Sequence, residues 1–185
     1  MTLRKQFDAA YPPSSAPPGC TVVAGYIGGS EALNVWTPTE WRRFETLYQV
    51  PIWVPDTSAD DPQAVGSAAC AAAKTLGWAP NQPNRRLIVF DLELAEVPAW
   101  YASVAAEVAS QGFQAAAYGS LSTVLANKAA VVWSADWDGD FTLNQGQSIE
   151  ATQYAADVAW DNTQVDYSAV SDWWAAHCGV GPRWL

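Results

Sequence analysis

The chain has 185 residues, with nine Lys and Arg against nineteen Asp and Glu, a formal charge of −10 at pH 7, and half of its residues apolar. That length suits one domain over residues 1–185, burying roughly 70% of its unfolded surface, and the composition excludes a disordered chain. A helical membrane span is excluded too, because apolar runs such as residues 68–73 fall far short of about 20 residues.

Charge is uneven along the sequence. Residues 1–92 carry eight acids and seven bases, whereas residues 93–185 carry eleven acids and two bases, Lys128 and Arg183. Nucleic acid is recognised by Lys and Arg that neutralise phosphates. A net of −9 over the second half repels it, so neither a nucleic-acid nor a membrane partner is expected.

The first eight residues hold two bases, Arg4 and Lys5, but no apolar segment, so they do not read as a secretory signal. A short strand is expected at residues 6–8, then a stiff loop where Pro12, Pro13, Pro17 and Pro18 cluster. The strand at 21–27 runs into Gly28-Gly29, a tight turn without the spacing of a dinucleotide or phosphate loop. Thr37-Pro38-Thr39-Glu40 is a capping box with proline at the first helical position, and it opens a helix over 41–48. After a strand at 50–54, Asp61-Pro62 opens an Ala-rich helix that stops at Gly77. Next come a strand at 87–92, a helix over 99–111 between Pro98 and Gly112, a strand at 114–118, and a helix over 121–127 capped by Ser120. The strands at 131–135, 150–154 and 164–166 leave room only for loops between them. A last helix covers 169–178 ahead of Gly179.

Strands alternating with helices give an α/β fold with a parallel sheet, and the almost wholly apolar middle strands suit burial on both faces. Eight strands predict a short, flattened (β/α) TIM-type barrel with some helices missing in the C-terminal half, since full barrels take about 250 residues. An open doubly wound sheet is the alternative. Cys20, Cys70 and Cys178 lie too far apart for a zinc ribbon or a dense disulfide scaffold. Their odd number fits reduced thiols, or one bridge and one free thiol.

The most informative segment runs from Arg86 to Glu93. An apolar strand there ends in Asp91 and Glu93, two residues apart and hence on one face, with Cα atoms about 6.6 Å apart. At the carboxyl end of a barrel strand, two such acids can divide roles, the more desolvated one holding a proton. The plain alternative is a solvated strand end where Asp91 caps the next turn and Glu93 meets water. Asp8, Asp136, Gln153-Tyr154 and Asp166-Tyr167 fall at the ends of other expected strands. Eleven Trp and seven Tyr offer faces for stacking on sugar rings. Trp41, Trp100 and Trp173, at helical positions, read as packing residues; Trp133, Trp137 and Trp160 are better placed for a site.

No cofactor and no metal is expected. His177 is the only histidine, and its neighbour Cys178 does not share its helix face. Asp136-Trp137-Asp138-Gly139-Asp140 begins like a calcium loop, but Phe141 takes the glycine position and Gln147 the bidentate acid. A looser cation site there stays open.

Taken in order, Phe7-Asp8, Gly25-Tyr26-Ile27, Phe90-Asp91-Leu92-Glu93, Tyr118-Gly119-Ser120, Trp133-Ser134-Ala135, Gln153-Tyr154 and Val165-Asp166 resemble glycoside hydrolase family 25, the Chalaropsis-type lysozymes. The sequence is closer still to the glycoside-hydrolase-like domain found in actinobacteria and their phages. The resemblance spans residues 6–178. It implies cleavage of the MurNAc–GlcNAc bond of peptidoglycan or a related N-acetylated glycan. Glu93 matches the general acid, Asp91 the carboxylate beside it, and Asp8 and Asp166 the acids of the first and last strands. Tyr118 matches a site aromatic, with Trp133, Asp136, Gln153 and Tyr154 as further substrate contacts. It also implies substrate-assisted hydrolysis, in which the acetamide attacks the anomeric carbon and Asp91 steadies the developing charge.

With no secretory signal read at the start, the protein is expected in the producing cell's cytoplasm, acting at the wall after release as an endolysin does, or in a phage virion. A function of another class is a barrel without turnover, a carbohydrate-binding or virion structural protein with virion proteins as partners. Three expectations follow. Asp8, Asp91, Glu93 and Asp166 converge at one barrel end; Asp136, Asp138, Asp140, Asp157, Asp161 and Asp166 gather there too; and burial beside Asp91 keeps Glu93 protonated.

Overall fold

The computed structural model describes residues 2–81, 86–93, 95–145 and 148–178. Gly179 and Gln147, which entered the reading of the last helix and of the calcium-loop pattern, lie outside the described residues.

Eight strands close into a barrel in chain order. They are β1 (Leu3–Asp8), β2 (Cys20–Gly28), β3 (Tyr48–Trp53), β4 (Leu87–Glu93), β5 (Gln114–Ser120), β6 (Val132–Ala135), β7 (Ile149–Trp160) and β8 (Thr163–Ser171). The helices are α1 (Pro38–Arg42), α2 (Pro62–Thr75), α3 (Pro98–Ser110), α4 (Leu121–Ala126) and α5 (Asp172–Cys178). The expected barrel is present, and among the described residues no helix separates β6, β7 and β8.

Strand pleating sorts the side chains into two apolar layers. On β4, Leu87 and Val89 point into the barrel with Val22, Ala24, Val50, Ile52, Ala116 and Ala151. Ile88, Phe90 and Leu92 point outward, against Val104, Val108 and Ala69 of the helices. A strand buried on both faces has no polar alternation, hence its continuous apolar run. The helix starts act as their residues predict. Thr37 and Glu40 exchange capping-box bonds, and Asp61 and Ser120 each accept a backbone N–H at their helix starts.

Three expectations need correction. The helix after Thr37 ends at Arg42 rather than continuing to Tyr48. The sheet is not wholly parallel: β1 to β7 run parallel, but β8 is antiparallel to both β1 and β7. The reason is local. β7 extends to Trp160 and turns back through two residues, Asp161 and Asn162, both with positive φ, and a two-residue hairpin joins only antiparallel strands. Finally, the last helix starts at Asp172, because residues 169–171 complete β8.

The reversed β8 delivers α5 to the opposite end of the barrel from the Asp8 end of β1. There Trp174, fully buried, donates its indole N–H to Gln6 Oε1 at 2.9 Å and meets Trp133 edge-on at 5.9 Å. That end is plugged. His177 stacks on Trp173 at 3.8 Å, a packing contact. All three cysteines are buried and free. On the outer face of β7 and β8, which carries no helix, Phe141, Tyr154 and Tyr167 form a row of rings, with Lys5 Nζ 3.7 Å from the centre of Tyr167. No helix among the described residues is long and apolar enough to cross a membrane.

Candidate active site

The open end of the barrel is built mainly from strand ends. Asp8 is the last residue of β1, and in the β1–β8 register its partner is Asp166. Asp166 is the fourth residue of β8, so it reaches the same end from the amino half of a reversed strand rather than from a carboxyl end. Antiparallel partners face the same side of a sheet, which sets the two carboxyl groups together. Asp91 points inward on β4 and pairs with Tyr118 of β5.

Glu93 departs from the simple pleat. A bulge at Leu92 interrupts the β4–β5 register, Leu92 is buried in the outer layer, and Glu93 has φ +44°. That left-handed conformation costs a non-glycine residue about 1–2 kcal/mol and needs surrounding structure to hold it. The bulge turns the second carboxylate up to the rim, where Glu93 is exposed while Asp91 below is buried. Gly119 permits this packing: a Cβ there would lie 2.5 Å from the Glu93 carbonyl oxygen.

Asp8, Asp91, Glu93 and Asp166 line one cavity of about 100 Å³, together with Tyr26, Ile52, Tyr118 and Trp133. Glu93 and Tyr118 also line an adjoining groove of about 340 Å³, whose other walls are Gly119, Ser120, Ala135 and Trp137. Trp137 is 68% exposed and presents an open ring face at the groove edge.

Burial and crowding dominate the electrostatics. Asp8 is pushed well above the usual carboxylate range, first by desolvation and then by the negative fields of Asp166 and Asp91. Asp91 is pushed up to about 7 by desolvation and by Glu93, against a bond from the Glu93 backbone N–H. Each has an Oδ1 atom that is buried and unpartnered. Asp166 is raised as well, through desolvation, but it accepts bonds from the Gln153 amide and from the Asp157 backbone N–H, both at 2.7 Å. Tyr26 and Tyr118 are raised by burial and by the neighbouring acids, so both stay neutral donors. A pair of proton-holding acids beside a solvent-facing carboxylate can carry acid–base chemistry. Among the described residues no set of three His, Cys, Asp or Glu side chains is arranged to hold a metal.

The structure thus brings Asp8, Asp91, Glu93, Asp166, Tyr118 and Trp133 together. Trp133 is almost wholly buried, and its indole N–H donates to Ser168 at 3.0 Å, so it forms the cavity floor. Gln153 is buried behind the cavity wall, bonded to Tyr118 and Asp166. Asp136 is tied by its backbone N–H to the Gln153 carbonyl at 2.8 Å and lines neither space. Tyr154 is not part of the site; it points outward into the ring row. Tyr26 is the inward residue that sequence reasoning passed over, and its parity with Val22 and Ala24 on β2 is the signal that reveals it. The β6–β7 loop holds Asp138 and Asp140, and the β7–β8 hairpin holds Asp157 and Asp161, so much of the acidic half flanks this mouth.

No protein-family profile and no curated protein matches the sequence. The fold does match solved structures. A bacterial lysozyme from Streptomyces coelicolor superposes with a TM-score of 0.69 at 13% identity, over 94% of this chain and 97% of that one. An uncharacterized B. stearothermophilus protein gives 0.68 at 17% identity, over 91% and 96%. A family GH25 lysozyme from Aspergillus fumigatus gives 0.63 at 11% identity, over 95% and 99%. The chain has the fold of the family 25 lysozymes.

Proposed function

We propose that this protein is a muramidase-type glycoside hydrolase that cuts peptidoglycan or a related N-acetylated glycan at the open barrel end. The observation that carries the reading is the pairing of a solvent-facing Glu93 with a buried Asp91 pushed up to about 7, at the junction of a closed acidic cavity and an aromatic groove. The lysozyme fold supports it by analogy, since a fold alone does not carry a reaction.

In this reading the groove between Tyr118 and Trp137 takes the glycan, and one sugar enters the acid-lined cavity. Glu93, the acid with access to both spaces, gives its proton to the glycosidic oxygen. Seating the sugar covers Glu93 and excludes water from the glycosidic oxygen. Asp91 accepts the acetamide N–H on its free oxygen as the acetamide oxygen attacks the anomeric carbon and the glycosidic bond breaks, and the anion on Asp166 steadies the developing positive charge. Neutral Tyr26 donates to a sugar hydroxyl, and Tyr118, whose proton goes to Gln153, accepts from one on the opposite wall.

The test is release of reducing ends from purified cell walls. Wild type releases them, and Glu93→Gln lowers the rate by about 10²–10⁴-fold, the usual cost of losing a general acid, with unchanged circular dichroism. Wall binding without any release overturns the hydrolase reading in favour of a carbohydrate-binding barrel. An active wild type whose rate ignores Glu93→Gln means another acid protonates the leaving group.

A further inference from the structure

Gln153 stands among the sugar contacts expected from sequence, but both ends of its amide are engaged elsewhere. Its Oε1 accepts the Tyr118 hydroxyl, its Nε2 donates to Asp166 Oδ2 at 2.7 Å, and it is 1% exposed. The chain of bonds has one direction. A carboxylate can only accept, so Nε2 faces Asp166, and the Tyr118 hydroxyl then donates to the remaining oxygen. The other Asp166 oxygen accepts the Asp157 backbone N–H at 2.7 Å. That N–H comes from the irregularity between Ala155 and Val158, where Asp157 takes φ +55°.

Asp166 therefore has a donor on each oxygen, whereas Asp8, its register partner, and Asp91 each keep an Oδ1 with none. Acids crowded into one small cavity cannot all ionise together. The groups that face Asp166 are Asp8 on β1, Tyr26 on β2, Asp91 and Glu93 on β4, Tyr118 on β5 and Asp157 on β7, and among the described residues no base lines the cavity. The two donors decide which acid takes the charge.

Resting on the muramidase reading, we propose that Gln153 is a positioning residue: with the Asp157 N–H, it keeps the negative charge of the crowded acids on Asp166 and leaves the protons to Asp8 and Asp91. The substrate class this serves is a neutral sugar that gains positive charge at its anomeric carbon, next to one fixed anion rather than a mobile one. Tyr118 acts through Gln153 by holding the amide against a flip.

The test follows the carboxyl carbons of ¹³C-labelled protein by NMR through a pH titration, in wild type, Gln153→Met and Tyr118→Phe. In wild type Asp166 ionises below Asp8 and Asp91. Gln153→Met keeps the side-chain length without the amide, and it raises the Asp166 midpoint by about one pH unit or more, the scale of a lost bond to a charged group. The Asp8 midpoint falls in the same variant, because its charged neighbour has gone. Tyr118→Phe shifts Asp166 in the same direction by less, and it serves as the test if Gln153→Met does not fold. A wild type in which Asp166 ionises last, or variants in which its midpoint stays put, overturns the proposal. The titration needs no turnover, so it stands or falls separately from the cell-wall assay.

Discussion

The two halves of the barrel handle buried charge in opposite ways. From β2 to β5, α2 to α4 cover the outer face, and Phe90, Val104 and Val108 are fully buried there. Behind that cover Asp91 sits with an unpartnered oxygen and responds by holding a proton. From β6 to β8 no helix intervenes among the described residues, and polar ties do the holding: Tyr118 to Gln153, Gln153 to Asp166, and the Asp157 N–H to Asp166. Burial without partners favours the neutral acid, and burial with donors favours the anion. The supply of donors thus decides where protons sit, and the sides of one mouth become chemically distinct.

The sharpest way to break this comparison is to damage the covered half alone. Phe90→Ala empties a fully buried ring site between β4 and the helix layer. It should cost about 3–5 kcal/mol in urea unfolding, as other buried aromatic truncations do. A cost near 1 kcal/mol would mean the helix layer is not what supports β4.

Asp91→Asn tests the cost of the buried acid. The folded pKa, about 7, lies above the ordinary aspartate value of 3.8, so the folded state binds more protons between those values and stability falls as pH rises from about 4 to about 7. The loss is complete above that window and absent below it, and it amounts to at most about 4 kcal/mol. Asp91→Asn should flatten this decline and unfold at higher urea than wild type at pH 8, while wall-cleaving activity falls. Equal pH slopes for the two proteins would remove Asp91 as the source.

Gly119→Ala probes the bulge. A methyl group 2.5 Å from the Glu93 carbonyl oxygen must displace one backbone or the other. A displacement near 1 Å costs on the order of 10²-fold in rate, so reducing-end release should drop by about that factor with Glu93 itself intact. An unchanged rate would show that the rim tolerates movement.

The smallest effect belongs to the uncovered half. Tyr154→Ala removes a ring from an outer row that no helix packs against, and about 1 kcal/mol is expected, the scale of an aromatic pair. A loss approaching that of Phe90→Ala would erase the contrast between the halves.

Much of the fold was legible before any coordinates. The apolar run of β4, the Thr37 and Asp61 caps, Pro98 and Ser120 each state a local preference that tertiary contacts did not overrule. Asp8, Asp91 and Glu93 were legible as strand-end acids for the same reason, whereas Asp166 lies four residues into a reversed β8. The long β7 was not, because Asp157 breaks its alternation where the strand bulges.

What the sequence determined by itself is whatever depends on near neighbours along the chain: element starts, strand parity, and the short loops rather than helices expected between the last three strands. What only the tertiary structure decided depends on residues brought together from afar. The reversal of β8, the plug formed by Trp174, the exposure of Glu93 above a buried Asp91, and the division of donors between Asp8 and Asp166 all belong there. Hydrogen bonds and desolvation act over a few ångströms of space, and Asp8 and Asp166 become neighbours only when the barrel closes β1 against β8.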